Sequence, residues 1–231
     1  MRVLDPRELC HDRLADRFGE LLSNYDTQRR LETLVDEFLT VERLAGASVL
    51  DVGCGLGQFS ERLQAKGAVV TASDIGTRLL DLTRQRVGCE CVKADALELA
   101  NVFGANRFDI VVSSECIEHT PDPKEALRQM SLVLKPGGLL ALSTPNRIWQ
   151  PVVQLATKLK LRPFDGYERF LSWGQVRDTL FSSGMTVQRE RGLHLFPFQL
   201  PWHRLSRWCD GKLQVLKGGM INLCVLAEKA R

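Results

Sequence analysis

Ser48-Val49-Leu50-Asp51-Val52-Gly53-Cys54-Gly55-Leu56-Gly57-Gln58-Phe59 is the stretch on which the fold turns. Residues 49–52 are a short apolar run that reads as a buried strand, 53–57 as a tight turn, and 59–64 as the start of a helix. Glycines here let the backbone take positive φ and approach a ligand without a Cβ in the way. One glycine would mean only a strand-to-helix turn; three at alternate positions, after a strand that carries Asp51, point to a bound ligand. A dinucleotide fingerprint spaces its glycines G-x-G-x-x-G. The third glycine would then fall on Gln58 or Ser60, so the turn fails that template in both registers. The Gly-Lys-Ser/Thr of a triphosphate-binding loop is also missing.

Outward from this turn, short apolar runs alternate with helical patterns, which defines a doubly wound α/β fold. Further strands are expected over 68–74, 89–95, 107–115 and 139–145, with closing strands over 185–192 and 220–230. A helix is expected over 124–134, opened by Pro123 and stopped by Pro136-Gly137-Gly138. Upstream, 27–44 place Leu31, Leu34, Val35, Phe38, Val41 and Leu44 on one face of a single helix capped by Asp26 or Thr27. The whole of 1–231 reads as one domain, with an N-terminal helical cap over about 1–45. The connections 146–184 and 193–211 are longer than ordinary ones and are expected to form a lid near the ligand edge of the sheet.

Of 231 residues, 44% are hydrophobic and 26% charged, the balance of an ordinary globular chain rather than a disordered or fibrous one. The formal charge of +3 is too small to indicate a nucleic-acid partner. Cys10, Cys54, Cys89, Cys91, Cys116, Cys209 and Cys224 are scattered and odd in number, which suits free thiols in a reducing compartment. The first thirty residues are broken by charge throughout, and no apolar run nears the ~20 residues of a membrane span, so a cytoplasmic protein is expected.

Asp51-x-Gly53-x-Gly55-x-Gly57 resembles motif I of the class I S-adenosylmethionine-dependent methyltransferases. The resemblance runs from about Val49 to Asn146 and fades toward the C-terminus. It implies a Rossmann-like sheet of seven strands, mostly parallel with one antiparallel strand near the C-terminus. It also implies S-adenosyl-L-methionine as cofactor and S-adenosyl-L-homocysteine as product. Asp74, twenty-three residues after Asp51, matches the family's acid at the end of the second strand, which accepts from the ribose diol, with Ile75 beside it. Asp95 and Ala96 match the adenine-contacting pair, although an Asp in that position can equally cap its own loop. Ser114 lies at the end of the fourth strand, whose backbone lines the methionyl part in relatives. Asp51 would hold the glycine loop or the methionyl ammonium, and Arg29 or Arg30 could reach the methionyl carboxylate.

Glu115-Cys116-Ile117-Glu118-His119-Thr120-Pro121-Asp122-Pro123 follows the fourth strand. As one helical turn, 115–119 would put Glu115, Glu118 and His119 on one face, a set that suits a divalent ion such as Mg2+ or Zn2+. The run resembles that of the ubiquinone-biosynthesis O-methyltransferases, which implies a phenolic acceptor activated by the metal, or deprotonated by His119 with Glu118 beside it. In the other reading Glu118 caps or pairs and His119 packs beneath the loop. The acceptor implied is a small molecule, quinone-like or another hydrophobic or specialised metabolite, methylated on oxygen. N- or C-methylation, or a cofactor-binding or membrane-associated protein without turnover, are the alternatives. Residues 147–162 combine Trp149, Val152, Val153, Leu155, Leu159 and Leu161 with Arg147, Lys158, Lys160 and Arg162. Such a basic amphipathic helix fits peripheral membrane contact, or a core-facing helix with solvated lysines. Phe196, Phe198, Trp202 and Trp208 would line an acceptor pocket or join the core.

Overall fold

The computed structural model describes residues 23–159, 168–199 and 201–231. Cys10, Lys160, Leu161 and Arg162 lie outside them. Strands β1 (Ser48–Val52), β2 (Val69–Asp74), β3 (Glu90–Lys93), β4 (Phe108–Ser114), β5 (Leu134–Pro145), β6 (Met185–Leu193) and β7 (Asn222–Lys229) form one sheet. Its order is β3-β2-β1-β4-β5-β7-β6. All pairs are parallel except those of β7, which runs antiparallel to both β5 and β6. This is the fold of the class I methyltransferases. The winding reverses between β1 and β4, and in such sheets ligands bind beyond the strand C-termini at that switch.

The sheet is covered on both faces because its strands are apolar on both. Val111 packs in one core with Leu50, Leu127, Met130, Leu140 and Leu180. Its neighbours Ile110 and Val112 pack in another with Leu34, Val35, Val49 and Val70. Strand side chains alternate between faces, so a single strand serves both cores.

The N-terminal segment departs from the single helix that its periodicity suggests. Helix α1 (Asn24–Leu31) passes into a π-helical stretch, Glu32–Phe38; Leu39 is extended, and α2 (Val41–Leu44) starts afresh. The wider turn and the break shift the phase, so Leu31, Leu34, Val35, Phe38 and Leu44 stay buried while Val41 is 54% exposed. The N-cap is Ser23, whose hydroxyl accepts from Asp26 N at 3.3 Å, rather than Asp26 or Thr27. Asp26 is engaged elsewhere, in a buried ion network.

Helix α3 (Gln58–Ala65) leaves the glycine turn, α4 (Thr77–Val87) follows β2, and α5 (Leu99–Phe103) follows β3. Helix α6 (Pro123–Val133) starts as expected: Asp122 accepts from the backbone of Lys124 and Glu125, with Pro123 in the first turn. Strand β5 begins five residues earlier than its apolar run, because Leu134 is already extended and the ladder with β4 absorbs the proline–glycine segment as an irregularity. Helices α7 (Gln150–Lys158) and α8 (Trp173–Ser182) lie between β5 and β6, and α9 (His203–Lys212) between β6 and β7.

Candidate active site

The glycine turn sits where the winding reverses. Gly53, Gly55 and Gly57 have φ of +73°, +52° and +78°, the left-handed region that glycine enters without strain. The turn is tied to β2 by Gly53 N and Cys54 N, which both donate to Ser73 O. A Cβ on Gly53 would stand 2.5 Å from the Cys116 sulfur. The bare backbone is therefore needed for the loop after β4 to close on the loop after β1.

Asp74 ends β2 and is nearly buried. One carboxylate oxygen accepts from Gly55 N at 3.0 Å and the other from Gly76 N at 2.8 Å. The glycine turn and the residue before α4 thus fix the carboxylate in place at the cavity wall. A carboxylate has about four acceptor sites, so this anchoring is compatible with hydrogen bonds to a diol.

The structure sorts the other expected cofactor contacts. Gly53, Gly55, Asp74, Ile75, Asp95, Ala96 and Ser114 line one cavity of about 760 Å³. Asp51 and Gly57 are not among its lining residues. Asp51 is buried beneath the turn and accepts from Ser60 Oγ at 2.6 Å, which fastens the first turn of α3. Burial pushes its carboxyl up to about 6, against the Ser60 hydrogen bonds and with the neighbouring charge of Asp74. The Asp51 carboxylate thus ties β1 to the helix that leaves the glycine turn. Gly57 caps α3 and packs on Thr83, whose hydroxyl donates to Gly55 O. Asp95 lines the cavity and also caps its own loop, accepting from Leu97 N at 3.0 Å.

Arg30 reaches this cavity and Arg29 does not. Arg29 pairs with Glu32 at 2.6 Å and lies 3.6 Å from Asp210. Arg30 is 4% exposed; its Nε and Nη2 donate to Asp26, and its Nη1 donates to Ser114 Oγ. Burial alone would raise the Asp26 carboxyl, but Arg30 and His194 outweigh it and hold it low. Sequence reasoning named Arg30 only beside Arg29, since neighbouring helical positions give no sign of which faces a ligand.

The helical turn suggested for 115–119 does not form. Glu115 has φ +53°, and Ile117–His119 form a 3-10 turn. After that change of hand the two acids take different partners: Ser143 Oγ donates to Glu115, and Thr144 Oγ1 donates to Glu118 at 3.0 Å. Among the described residues no group of three His, Cys, Asp or Glu side chains is placed to hold a metal. The expected Mg2+ or Zn2+ site at Glu115, Glu118 and His119 is therefore not formed as a ligand set. Glu115, Glu118 and His119 nevertheless all line the cavity, with His119 Nε2 4.0 Å from Glu118 Oε1.

Both acids are pushed up to about 8: Glu115 by burial and then by the charge of Glu118, Glu118 chiefly by burial. A carboxyl whose pKa is higher folded than unfolded makes the native state bind more protons, so stability falls as pH rises from about 4.5 to about 8 and is level above. Glu118→Gln keeps an acceptor for Thr144 and removes this cost. Its melting temperature should exceed the parent's by about 2–8 °C at pH 9, the range for 1–2 kcal/mol in a chain of this size. That margin should shrink as pH falls toward 4.5. Calorimetry across pH checks this, and a margin independent of pH would contradict it.

The cavity also has an apolar lining: Trp149, Val152, Val153, Ala156, Phe170, Pro197 and Phe198 contribute to it. Of the aromatic tract, only Phe198 does so; Trp202 and Trp208 are half exposed and belong to no core. Helix α7 buries no residue, so it is not the core-facing helix of the sequence alternative. Ile148, Leu155 and Leu159 are 55%, 57% and 59% exposed.

A crevice at the switch point, a side-chain-free turn on one wall and an acid at the end of β2 define a nucleoside-binding methyltransferase site. The chain belongs to the methyltransferase domain family, whose model matches residues 23–199, and is an S-adenosylmethionine-dependent methyltransferase. It is 30% identical over 169 residues to the ubiquinone biosynthesis O-methyltransferase of Coxiella burnetii, covering 68% of this chain and 70% of the relative. It is 29% identical over 214 residues to the enzyme of the same name from Leptothrix cholodnii, covering 85% and 90%. Among solved structures it resembles magnesium protoporphyrin IX methyltransferase from Synechocystis PCC 6803 with bound S-adenosylhomocysteine, at a TM-score of 0.69 and 17% identity, covering 97% of this chain and 98% of the other.

Proposed function

We propose that this enzyme methylates an oxygen, a phenolic or enolic hydroxyl on a hydrophobic, quinone-like or other specialised metabolite. One observation carries the reading. A single cavity is lined by the glycine turn and Asp74, by His119 and Glu118, and by the apolar side chains Trp149, Val152, Val153, Phe170 and Phe198. The cofactor supplies an electrophilic methyl group on a sulfonium sulfur. In this reading Asp74 accepts from the ribose hydroxyls, Ala96 and Asp95 bound the adenine, Ser114 and the 53–55 backbone face the methionyl arm, and Arg30 faces its carboxylate. Trp149, Val152, Phe170 and Phe198 hold the acceptor's apolar part, which directs its hydroxyl toward His119. A phenol has a pKa of about 10, so attack near neutral pH needs a base, and His119 takes that proton. As the oxygen–methyl bond forms, the carbon–sulfur bond breaks and sulfur keeps the pair, leaving S-adenosylhomocysteine. The names of the Coxiella and Leptothrix relatives support oxygen as the atom and a quinone precursor as the acceptor class.

A screen of phenols, catechols, amines and carbon acids, read by S-adenosylhomocysteine release, tests this. Turnover confined to hydroxylated aromatics is expected. Turnover confined to amines or carbon acids, or binding without turnover on any acceptor, would replace this reading with one of its alternatives.

A second reading concerns delivery. Ile148, Leu155 and Leu159 are exposed on the same segment whose Trp149, Val152, Val153 and Ala156 line the cavity, beside the exposed Lys158. No helix of the described residues is long and apolar enough to cross a membrane, so contact here would be peripheral. Flotation with phosphatidylglycerol vesicles should carry the enzyme upward. Leu155→Asp with Leu159→Asp should leave it in the dense fraction, and equal flotation of both proteins would remove the membrane role.

A further inference from the structure

His194 has no part in the reaction described above, yet its surroundings are unusual. It follows β6 directly, is fully buried, and has φ +61°, a left-handed conformation that costs a non-glycine residue on the order of 1–3 kcal/mol. Its backbone is held on both sides: His194 N donates to Asp210 at 2.9 Å, and Ile221 N donates to His194 O at 3.1 Å. The ring packs beside Tyr25 and, edge-on at 5.3 Å, against Phe198. Nε2 lies 2.9 Å from Asp26 Oδ1, while Nδ1 is buried with no hydrogen-bond partner. With an acceptor opposite Nε2 and nothing opposite Nδ1, the neutral ring carries its proton on Nε2 and donates it to Asp26. A side chain needed only for packing would not bury an unsatisfied nitrogen on a strained backbone; the polarity is spent on Asp26.

Asp26 is the link. Its other oxygen, Oδ2, receives Arg30 Nε at 3.1 Å and Nη2 at 2.9 Å, while Arg30 Nη1 meets Ser114. With His194 fixing one carboxylate oxygen, the plane that grips the guanidinium cannot rotate. At its other edge His194 touches Phe198, which is part of the apolar lining of the cavity. A continuous chain of contacts therefore runs from that lining, through Phe198, His194 and Asp26, to the Arg30 guanidinium.

We propose that His194 is a positioning residue: through Asp26 it orients Arg30 toward the carboxylate of the cofactor's amino-acid arm, and so links the 193–199 segment to cofactor affinity. This deepens the reading of the site given above and rests on it. Two ligands separate the effects. S-Adenosylhomocysteine carries the amino-acid arm; 5′-methylthioadenosine has the same nucleoside and sulfur without it. Isothermal titration with the full chain should show His194→Asn weakening S-adenosylhomocysteine by about tenfold, with 5′-methylthioadenosine within twofold of the parent. Asn suits the left-handed backbone but is too short to reach Asp26. His194→Gln, which can extend an N–H to Asp26, should restore S-adenosylhomocysteine affinity to within threefold. In turnover, His194→Asn should raise KM for S-adenosylmethionine and leave kcat near the parent's. If His194→Asn does not fold, His194→Gln against the parent and Asp26→Asn, which keeps an acceptor for Arg30 at reduced charge, carry the same comparison of the two ligands.

Equal weakening of both ligands, or S-adenosylhomocysteine affinity unchanged in His194→Asn and Asp26→Asn, would overturn the proposal. Failure of the underlying reading looks different: the parent would bind neither ligand, or Asp74→Ala would leave both affinities intact.

Discussion

Asp74→Ala should raise the dissociation constant for S-adenosylhomocysteine by about 100-fold or more, and for 5′-methylthioadenosine by a similar factor. Hydrogen bonds to a charged group are worth ~1.5–3 kcal/mol each, and each 1.4 kcal/mol is tenfold in affinity. Two ribose hydroxyls on one carboxylate therefore account for at least two orders of magnitude. The loss has a second source. Asp74 holds Gly55 N at 3.0 Å and Gly76 N at 2.8 Å, so without it the turn that faces the cofactor also loses its anchor. Asp74→Asn should be nearly as damaging. Both oxygens accept backbone N–H groups, and an amide would point its NH2 at one of those donors. Titration of both variants against both ligands checks this; parent-like affinity in either would remove Asp74 from the ribose site and with it the orientation of the cofactor.

His119→Ala should lower kcat on the best hydroxylated acceptor by 10²–10⁴, the usual range for a general base, with the affinity for S-adenosylhomocysteine unchanged. The separation follows from the roles proposed: His119 lines the cavity beside Glu118 as the base, whereas the glycine turn and Asp74 hold the nucleoside. When His119 takes up the acceptor's proton, the new charge arises 4.0 Å from Glu118 Oε1 and favours ionisation of that buried acid. Glu118, pushed up to about 8 by burial, ionises within the range of the pH–rate profile. Glu118→Gln should accordingly change the shape of that profile more than its height. Acceptors with more acidic hydroxyls, such as nitrophenols, should recover part of the loss in His119→Ala, because they need the base less. A kcat within threefold of the parent would show that the acceptor loses its proton elsewhere.

Most of the fold was legible in the sequence because its signals are local. Buried parallel strands write themselves as short apolar runs, and the glycines of 53–57 mark a turn that admits no Cβ, as the closeness of Gly53 to Cys116 bears out. Asp122-Pro123 announced the start of α6 for the same reason: a cap and its helix are neighbours in the chain. The expected helix over 27–44 failed because its ending depends on contacts outside it. The π-helical stretch 32–38 keeps Leu34, Val35 and Phe38 against the sheet, and that phase shift leaves Val41 in solvent. The Glu115–Glu118–His119 set failed in a similar way. Its spacing promised one face of a helix, but the backbone is left-handed at Glu115, and the first acid meets Ser143 while the second meets Thr144.

By itself, then, the sequence determined the doubly wound class and the glycine turn, since each rests on residues a few positions apart whose backbone conformations sterics dictate, while Asp74 stood out through its match to the family's acid. Only the tertiary structure decided that Arg30 rather than Arg29 reaches the cavity, that Asp51 works beneath the turn, and that Asp26 and His194 meet although 168 positions separate them. Those choices depend on how α1 rotates against the sheet and where the segment after β6 returns to it. That geometry is set by the burial of many apolar side chains at once, and no short stretch of the chain encodes it.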